Sequence, residues 1–378
     1  MIIKRKRKRI NNINELKNSN YRKIRIKKKN KIYSIKKYIS KFKYIAILLI
    51  ALYLTILNIC RKSNYISNKD DDLLAEEIYK SKGELNYNKL KKISIDYSKY
   101  NKIHIALTFN NDYYLLASVT IATILKNIAN TTFVFIHIIE SGDFIYETRK
   151  KLNSLREKLN NNSEFIFHNG SKVMDDFGKE IKNQPYGVGE YSRLMAPDLV
   201  EDDRILVVDS GDIMVIKDLV ELYNMDLKDK LVWGALDPYA KCHSFNKENY
   251  INGGVLLFNA KKWRELGIYK DIVNFYKAFN FKGKLGLPIQ DILNTFIPYL
   301  SVGILPLRYN YQYHPYLSAD CVVTNNEENE DAKNNEVIRH NNKMKPYQGE
   351  GELSKWYYYA NLTGFIKDIC AKYPKGCN

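Results

Sequence analysis

Four segments of this chain carry side chains whose types and spacing suit chemistry on an anionic ligand. The first is Arg204-Ile-Leu-Val-Val-Asp209-Ser-Gly-Asp212-Ile-Met-Val215. An apolar strand runs into two carboxylates across a small turn, and the chain then becomes apolar again. Acids aimed at one point beyond a strand end suit a hard divalent cation such as Mn²⁺ or Mg²⁺, whose shell a diphosphate can complete. A plain acidic turn, with glycine supplying positive φ, has the same composition. The second is Tyr250-Ile-Asn252-Gly253-Gly254-Val-Leu-Leu-Phe-Asn259. Its glycine pair permits close backbone approach, and Asn252 offers a neutral donor and acceptor for hydroxyls. Taken alone, it is equally a turn entering a buried strand.

The third, Pro288-Ile-Gln290-Asp291-Ile-Leu-Asn294, opens a helix, with Pro288 favouring the start and Asp291 complementing the dipole. The fourth, His340-Asn-Asn-Lys-Met-Lys345-Pro-Tyr347, brings an imidazole and an ammonium within five residues. Those groups suit a metal and a phosphate, although a solvated basic loop reads the same way. Gly187-Val-Gly189 is too short for a dinucleotide fingerprint, and neither a Walker-type loop nor a G-x-S-x-G elbow occurs. His104 and His137 fall inside apolar runs and read as structural; His168, His243 and His314 have no assignable role.

These segments need a frame. Strands are predicted at 103–108, 133–139, 165–167, 205–208, 231–236, 254–258 and 302–305. Helices are predicted at 115–126, 145–159, 191–195, 261–266, 268–279 and 290–297. Such alternation implies an α/β domain with a mostly parallel sheet, whose ligands sit beyond the strands' carboxyl ends. Asn325–Asn335 reads as a solvated loop, and residues 349–378 as a packed helix or flap.

The chain has 378 residues and a net charge of +18. Residues 1–43 hold 18 of the 60 Lys and Arg against one acid, Glu15, so the remainder is nearly neutral. The basic character therefore belongs to a tail. That excludes a nucleic-acid binder, which needs its cations on the binding surface. Residues 44–60 carry no charge and are flanked by Lys41, Lys43, Arg61 and Lys62. As a helix they extend about 25 Å, enough for a thin bilayer. Positive charge before them places 1–43 in the cytoplasm and the rest across the membrane. Residues 61–100, polar and rich in Lys, Asp and Asn, read as a stem, followed by a catalytic domain over 101–348. Five cysteines include Cys370 and Cys377, for which a bridge is conceivable. Sequons at Asn130, Asn161, Asn169 and Asn361 are compatible with a lumenal domain.

In order, these pieces resemble family 8 of the retaining glycosyltransferases over roughly residues 102–347. Thr108-Phe-Asn110-Asn111-Asp112-Tyr113 is similar to the family's uridine turn, and Tyr191-Ser-Arg193-Leu to its Tyr-x-Arg-Leu. Asp209–Asp212 corresponds to the D-x-D motif, Asn252–Gly254 to Asn-(Gly/Ala)-Gly, and Gln290–Asn294 to Gln-Asp-x-Leu-Asn. His340 and Lys345-Pro-Tyr347 stand for the closing His…Lys-Pro-Trp. The resemblance implies a GT-A fold and transfer of a hexose from a UDP-sugar to a glycan acceptor. It assigns the metal to Asp209, Asp212 and His340, and the nucleotide sugar to Asn110, Tyr113, Arg193, Gly253, Gly254 and Lys345. Gln290, Asp291 and Asn252 are then expected at the reacting sugar. With the membrane span, it implies a type II Golgi protein. Three departures stand out: Asp-Ser-Gly-Asp is one residue longer than D-x-D, Ile289 replaces an acid, and Asn110 stands where Asp is usual. A silent protein that keeps the fold and binds sugar or nucleotide is the alternative.

Overall fold

The computed structural model describes residues 96–142, 146–160, 162–183, 187–240, 250–279, 287–295, 302–312 and 324–377. The expected membrane span 44–60, the basic tail and most of the stem lie outside the described residues. So do Cys60, Cys242, Cys321, His243 and His314. Among the described residues, no helix is long and apolar enough to cross a membrane.

The strands are β1 (Asn101–Phe109), β2 (Thr132–Glu140), β3 (Ser163–Asn169), β4 (Arg204–Val208), β5 (Ile213–Val215), β6 (Val232–Leu236), β7 (Ile251–Asn259), β8 (Val302–Leu305) and β9 (Ile338–His340). Seven form one sheet in the order β3-β2-β1-β4-β7-β6-β8. β7 runs antiparallel to both β4 and β6, and the other pairs are parallel. One reversed strand has a decisive consequence. The carboxyl ends of β1, β4 and β6 and the amino end of β7 meet at one edge of the sheet, and that edge carries the chemistry.

Both faces of the sheet are covered, so its central strands are apolar throughout rather than alternating. Ile103, Ile105 and Leu107 of β1 pack with Ala117, Ile121 and Ile124 of α1 (Tyr114–Asn127). Ala106, Val207 and Leu256 face Tyr191, Trp263 and Ile292 on the other side. α1 is buried from Leu115 to Leu125, because its outer side is covered in turn. There Leu115, Leu116 and Val119 meet Trp356, Tyr359 and Ile369 from the C-terminal helices. Residues 349–377 are thus a packed helical layer. Tyr97 also belongs to the domain, its ring lying 5.0 Å from that of Phe133.

Short helices at Val173–Phe177, Ala196–Leu199 and Val220–Tyr223 lie outside the expected set, and two further elements differ from expectation. Asn326–Asn334 is a helix, not a loop, closed by a reciprocal capping box between Asn325 and Glu328. Only Ala332 is buried in it, so no apolar stripe marks it in sequence. The second is a two-stranded sheet in which β5 pairs antiparallel with β9, Ile213 facing His340. Each strand has three residues, too few for alternation to show.

The histidines on the β1–β2–β3 side form a ladder. His104 Nδ1 is 2.9 Å from His137 Nε2, and His137 Nδ1 is 2.8 Å from His168 Nε2. Asp202 stands 3.5 Å from the outer nitrogen of His104.

Candidate active site

The expected residues converge on a cavity of about 500 Å³ at that sheet edge. β1 is followed by Asn110, whose Oδ1 accepts the Tyr113 amide at 3.0 Å and closes the turn. β4 is followed by Asp209, whose amide donates to the Gly254 carbonyl at 2.8 Å. The extra residue in Asp209-Ser-Gly-Asp212 is absorbed by Gly211 at φ +99°. A side chain there would strike Leu116 and Tyr113 at 2.8 Å, so the turn requires glycine. The β5–β9 pairing then sets His340 beside Asp212, and the Asn341 amide donates to the Asp212 carbonyl at 2.8 Å.

The donor atoms of Asp209, Asp212 and His340 all lie within 4.8 Å of one another. His340 Nε2 is 3.5 Å from Asp209 Oδ2 and 3.7 Å from Asp212 Oδ2. Its other nitrogen, Nδ1, is 3.0 Å from Asn310 Oδ1, while Asn310 Nδ2 donates to Asn252 at 2.9 Å. The amide is thereby oriented, so Nδ1 carries the hydrogen and Nε2 turns its lone pair toward both carboxylates. A lone pair and two acids facing one point, with the imidazole oriented from behind, fit a divalent cation. Gly254 makes room for that ring: a Cβ would come within 2.7 Å of Nδ1.

Two cations flank the acids. Lys345 pairs with Asp212, and Arg193 pairs with Asp209 and, at 2.8 Å, with Glu190. Burial opposes ionisation of Asp212, but the Lys345 ammonium beside it holds it well below the usual carboxylate range. Burial raises Asp209 despite Arg193. Glu190 is pushed up to about 7 by burial, against the pull of Arg193, with Asp209 and Asp212 adding to the rise.

Opposite this cluster stands Gln290, on α2 (Pro288–Thr295). Its Oε1 accepts the Gly253 amide at 3.0 Å and Asn252 Nδ2 at 3.2 Å, and its Nε2 donates to Asp237 Oδ2 at 2.7 Å. Asp291 does not line the cavity. Adjacent helical residues point about 100° apart, so Asp291 accepts the Tyr250 hydroxyl at 2.5 Å and the Leu287 amide at 3.0 Å instead. Its carboxylate thus serves the start of this helix, as its position in the first turn suggests.

A sequence profile described as "Glycosyl transferase family 8" matches residues 104–350, most of the described domain. The chain belongs to this family.

GlyF of Streptococcus pneumoniae serotype 4, a glycosyltransferase, is 28% identical over 210 residues, 55% of this chain and 48% of its own. The chain spans about half the length, or less, of the curated relatives it matches. Among solved structures, the galactosyltransferase LgtC with donor and acceptor sugar analogs superposes with a TM-score of 0.56 at 20% identity. That match covers 69% of this chain and 95% of LgtC. The apo bifunctional glycosyltransferase WbbM gives 0.58 at 17% identity, over 73% of this chain and 52% of its own. The fold is therefore the α/β, GT-A-like fold, with a mostly parallel sheet between helices.

Against family 8, Ile289 is fully buried among Ile292 and Leu293, so it presents nothing to the cavity. Two lining carboxylates, Asp237 and Glu190, stand outside the sequence motifs. Asp237 directly follows β6 at a carboxyl end, which is where the sheet rule looks for ligands. Glu190 stands three residues before Arg193, a spacing that makes an ion pair on one turn.

Proposed function

We propose that this family 8 member is a metal-dependent, retaining glycosyltransferase that moves a hexose from a UDP-sugar to a glycan acceptor. The observation that carries the proposal is the convergence of Asp209, Asp212 and His340 in one cavity with Lys345, facing Gln290. Asp209, Asp212 and His340 would hold Mn²⁺ or Mg²⁺, which supplies Lewis-acid neutralisation of charge on the diphosphate. Lys345 and Arg193 add fixed positive charge where the leaving group becomes an anion. Asn110 and Tyr113 frame the uridine end, and Gly253 and Gly254 let the donor lie close to the backbone.

Gln290, held on both sides of its amide, stands near the anomeric carbon. The acceptor oxygen bonds to that carbon on the face from which the diphosphate oxygen departs. The acceptor proton passes to the departing oxygen. This front-face course needs no carboxylate nucleophile, and it retains configuration. Asp237 would orient Gln290 and the sugar hydroxyls.

The same proposal places the protein as a single-pass type II membrane protein through residues 44–60, with a lumenal, Golgi-type location. The Cys370–Cys377 disulfide supports an oxidising compartment.

The test is UDP release by the purified full chain from a panel of UDP-hexoses and glycan acceptors, with Mn²⁺ and with EDTA. Release from one donor, abolished by chelation and by Asp212→Ala, is expected. Metal-independent UDP binding without turnover would replace this reading with a silent binding protein.

A further inference from the structure

Lys345 is held from behind by the C-terminal end of the chain. It precedes a single turn, Pro346–Gln348, whose outer side is covered by the segment Pro374–Cys377 and the helix Leu353–Leu362. Gly376 is buried against that turn: a Cβ there would lie 2.7 Å from Tyr347 Cα and 2.9 Å from the Pro346 carbonyl. The Tyr373 and Tyr347 rings meet edge to face at 5.6 Å. The Tyr347 hydroxyl reaches forward to within 3.4 Å of the Tyr113 hydroxyl, at the mouth of the cavity. Lys372 donates to the Asp112 carbonyl at 2.6 Å, so the same segment also touches the turn after β1.

The bridge between Cys370 and Cys377, whose Cα atoms are 5.6 Å apart, ties the segment that carries Gly376 to the helix Ile366–Lys372. Without the bridge, residues 373–377 would be held by packing and backbone hydrogen bonds alone, and would be freer to part from the turn. The bridge removes that freedom.

We propose that the Cys370–Cys377 disulfide, acting through Gly376 and Tyr347, is a positioning device that holds Lys345 against Asp212 and the diphosphate. In its consequence for the diphosphate it rests on the functional reading above. Reduction converts the S–S bond to two thiols, and a phosphine reductant is oxidised to its oxide with the oxygen of water. The turn then loses its backing and Lys345 swings toward solvent.

The first arm needs no ligand. Lys345 acetylation by an amine-reactive ester is followed by mass spectrometry on the full chain, oxidised and after tris(2-carboxyethyl)phosphine. Exposed Lys261, remote from the bridge in sequence, serves as internal reference. Lys345 should label at least fivefold faster after reduction, and in Cys370→Ser/Cys377→Ser, while Lys261 is unchanged. Equal Lys345 rates in both states, with the bridge verified as open, would overturn the proposal even if the functional reading stands.

The second arm compares UDP with uridine by calorimetry in Mn²⁺. Reduction should weaken UDP binding about fivefold and leave uridine within twofold, and it should have no further effect in Lys345→Ala. Equal loss for both ligands would indicate a merely structural bridge and would count against the proposal. If the oxidised chain binds no UDP, the functional reading fails, and the labelling arm still decides the bridge's role.

Discussion

The Nδ1–H of His340 donates to Asn310 Oδ1 at 3.0 Å, and this one hydrogen bond decides which imidazole nitrogen faces Asp209 and Asp212. Asn310 is in turn bonded to Asn252, which is bonded to Gln290 at 3.2 Å. The metal-type cluster and Gln290 are therefore one buried polar network. Such networks orient their members more strictly than separate pairs do.

Replacing Asn310 with Ala leaves His340 Nδ1 without its acceptor and frees the ring to turn. Loss of a partner behind a metal ligand costs about 10–100-fold in affinity. Mn²⁺ binding, followed by calorimetry or electron paramagnetic resonance, should weaken by that factor. An unchanged affinity would show that the ring is held by packing alone.

Gly254→Ala should be more severe than its size suggests. The new methyl meets the His340 ring at 2.7 Å from Nδ1, inside any real carbon contact. Either the ring moves or the start of β7 does. We expect Mn²⁺ affinity to fall at least tenfold while Gly253→Ala, whose Cβ would lie 3.5 Å from Gln290, retains most of it. Equal effects at the two glycines would argue against this steric account.

Glu190 titrates in the working range, its carboxyl raised to about 7 by burial against the pull of Arg193. Above that value a second anion competes for Arg193; below it the group is neutral. Glu190→Gln should therefore bind UDP about three- to tenfold more tightly at pH 8. Near pH 6, where the wild-type carboxyl is already protonated, the gain should vanish. A pH-independent difference in dissociation constants would contradict this.

The histidine ladder makes the fold acid-sensitive. Burial, with neighbouring His104 and His168, lowers His137 from 6.5 to about 3. Two internal hydrogen bonds each hold one proton, so beyond its neutral form the ladder takes up one more proton, at an outer nitrogen, before a bond breaks. The outer nitrogens face Asp202 at His104 and the charge of Glu140 at His168, with Lys102 opposing near His104. The unfolded chain binds protons that the folded chain refuses, so this stability is complete above pH 6.5 and is lost as pH falls toward 3. On the order of 3 kcal/mol should disappear between pH 6.5 and 4 from His137. Urea unfolding at the two pH values should show a smaller difference in His137→Gln; an equal difference would place the acid sensitivity elsewhere.

Much of this was legible in one dimension. Asp209, Asp212, His340 and Lys345 are charged residues set beside apolar runs, and the strands lie within a few residues of where β-branched, apolar composition puts them. Composition also located the basic tail and the uncharged span at 44–60. These are local properties, and local propensity and periodicity report them.

Other features depended on partners distant in sequence. Three-residue β5 and β9 carry no periodicity of their own; only their pairing brings His340 to Asp212 across more than a hundred residues. Asp291 and Gln290 are neighbours with equally plausible chemistry, and the helix rotation alone turned Gln290 into the cavity and Asp291 toward Tyr250. Asp237 became a site residue because the reversed β7 gathers three carboxyl strand ends on one edge, and Glu190 because the helix Gly187–Ser192 packs beside β1 there. The sequence by itself determined which residues have the chemistry and which segments can be strands or helices, because both follow from side-chain type and near-neighbour spacing. Only the tertiary structure decided which of them share a cavity, because that depends on strand order, helix rotation and burial, which are properties of the packed whole.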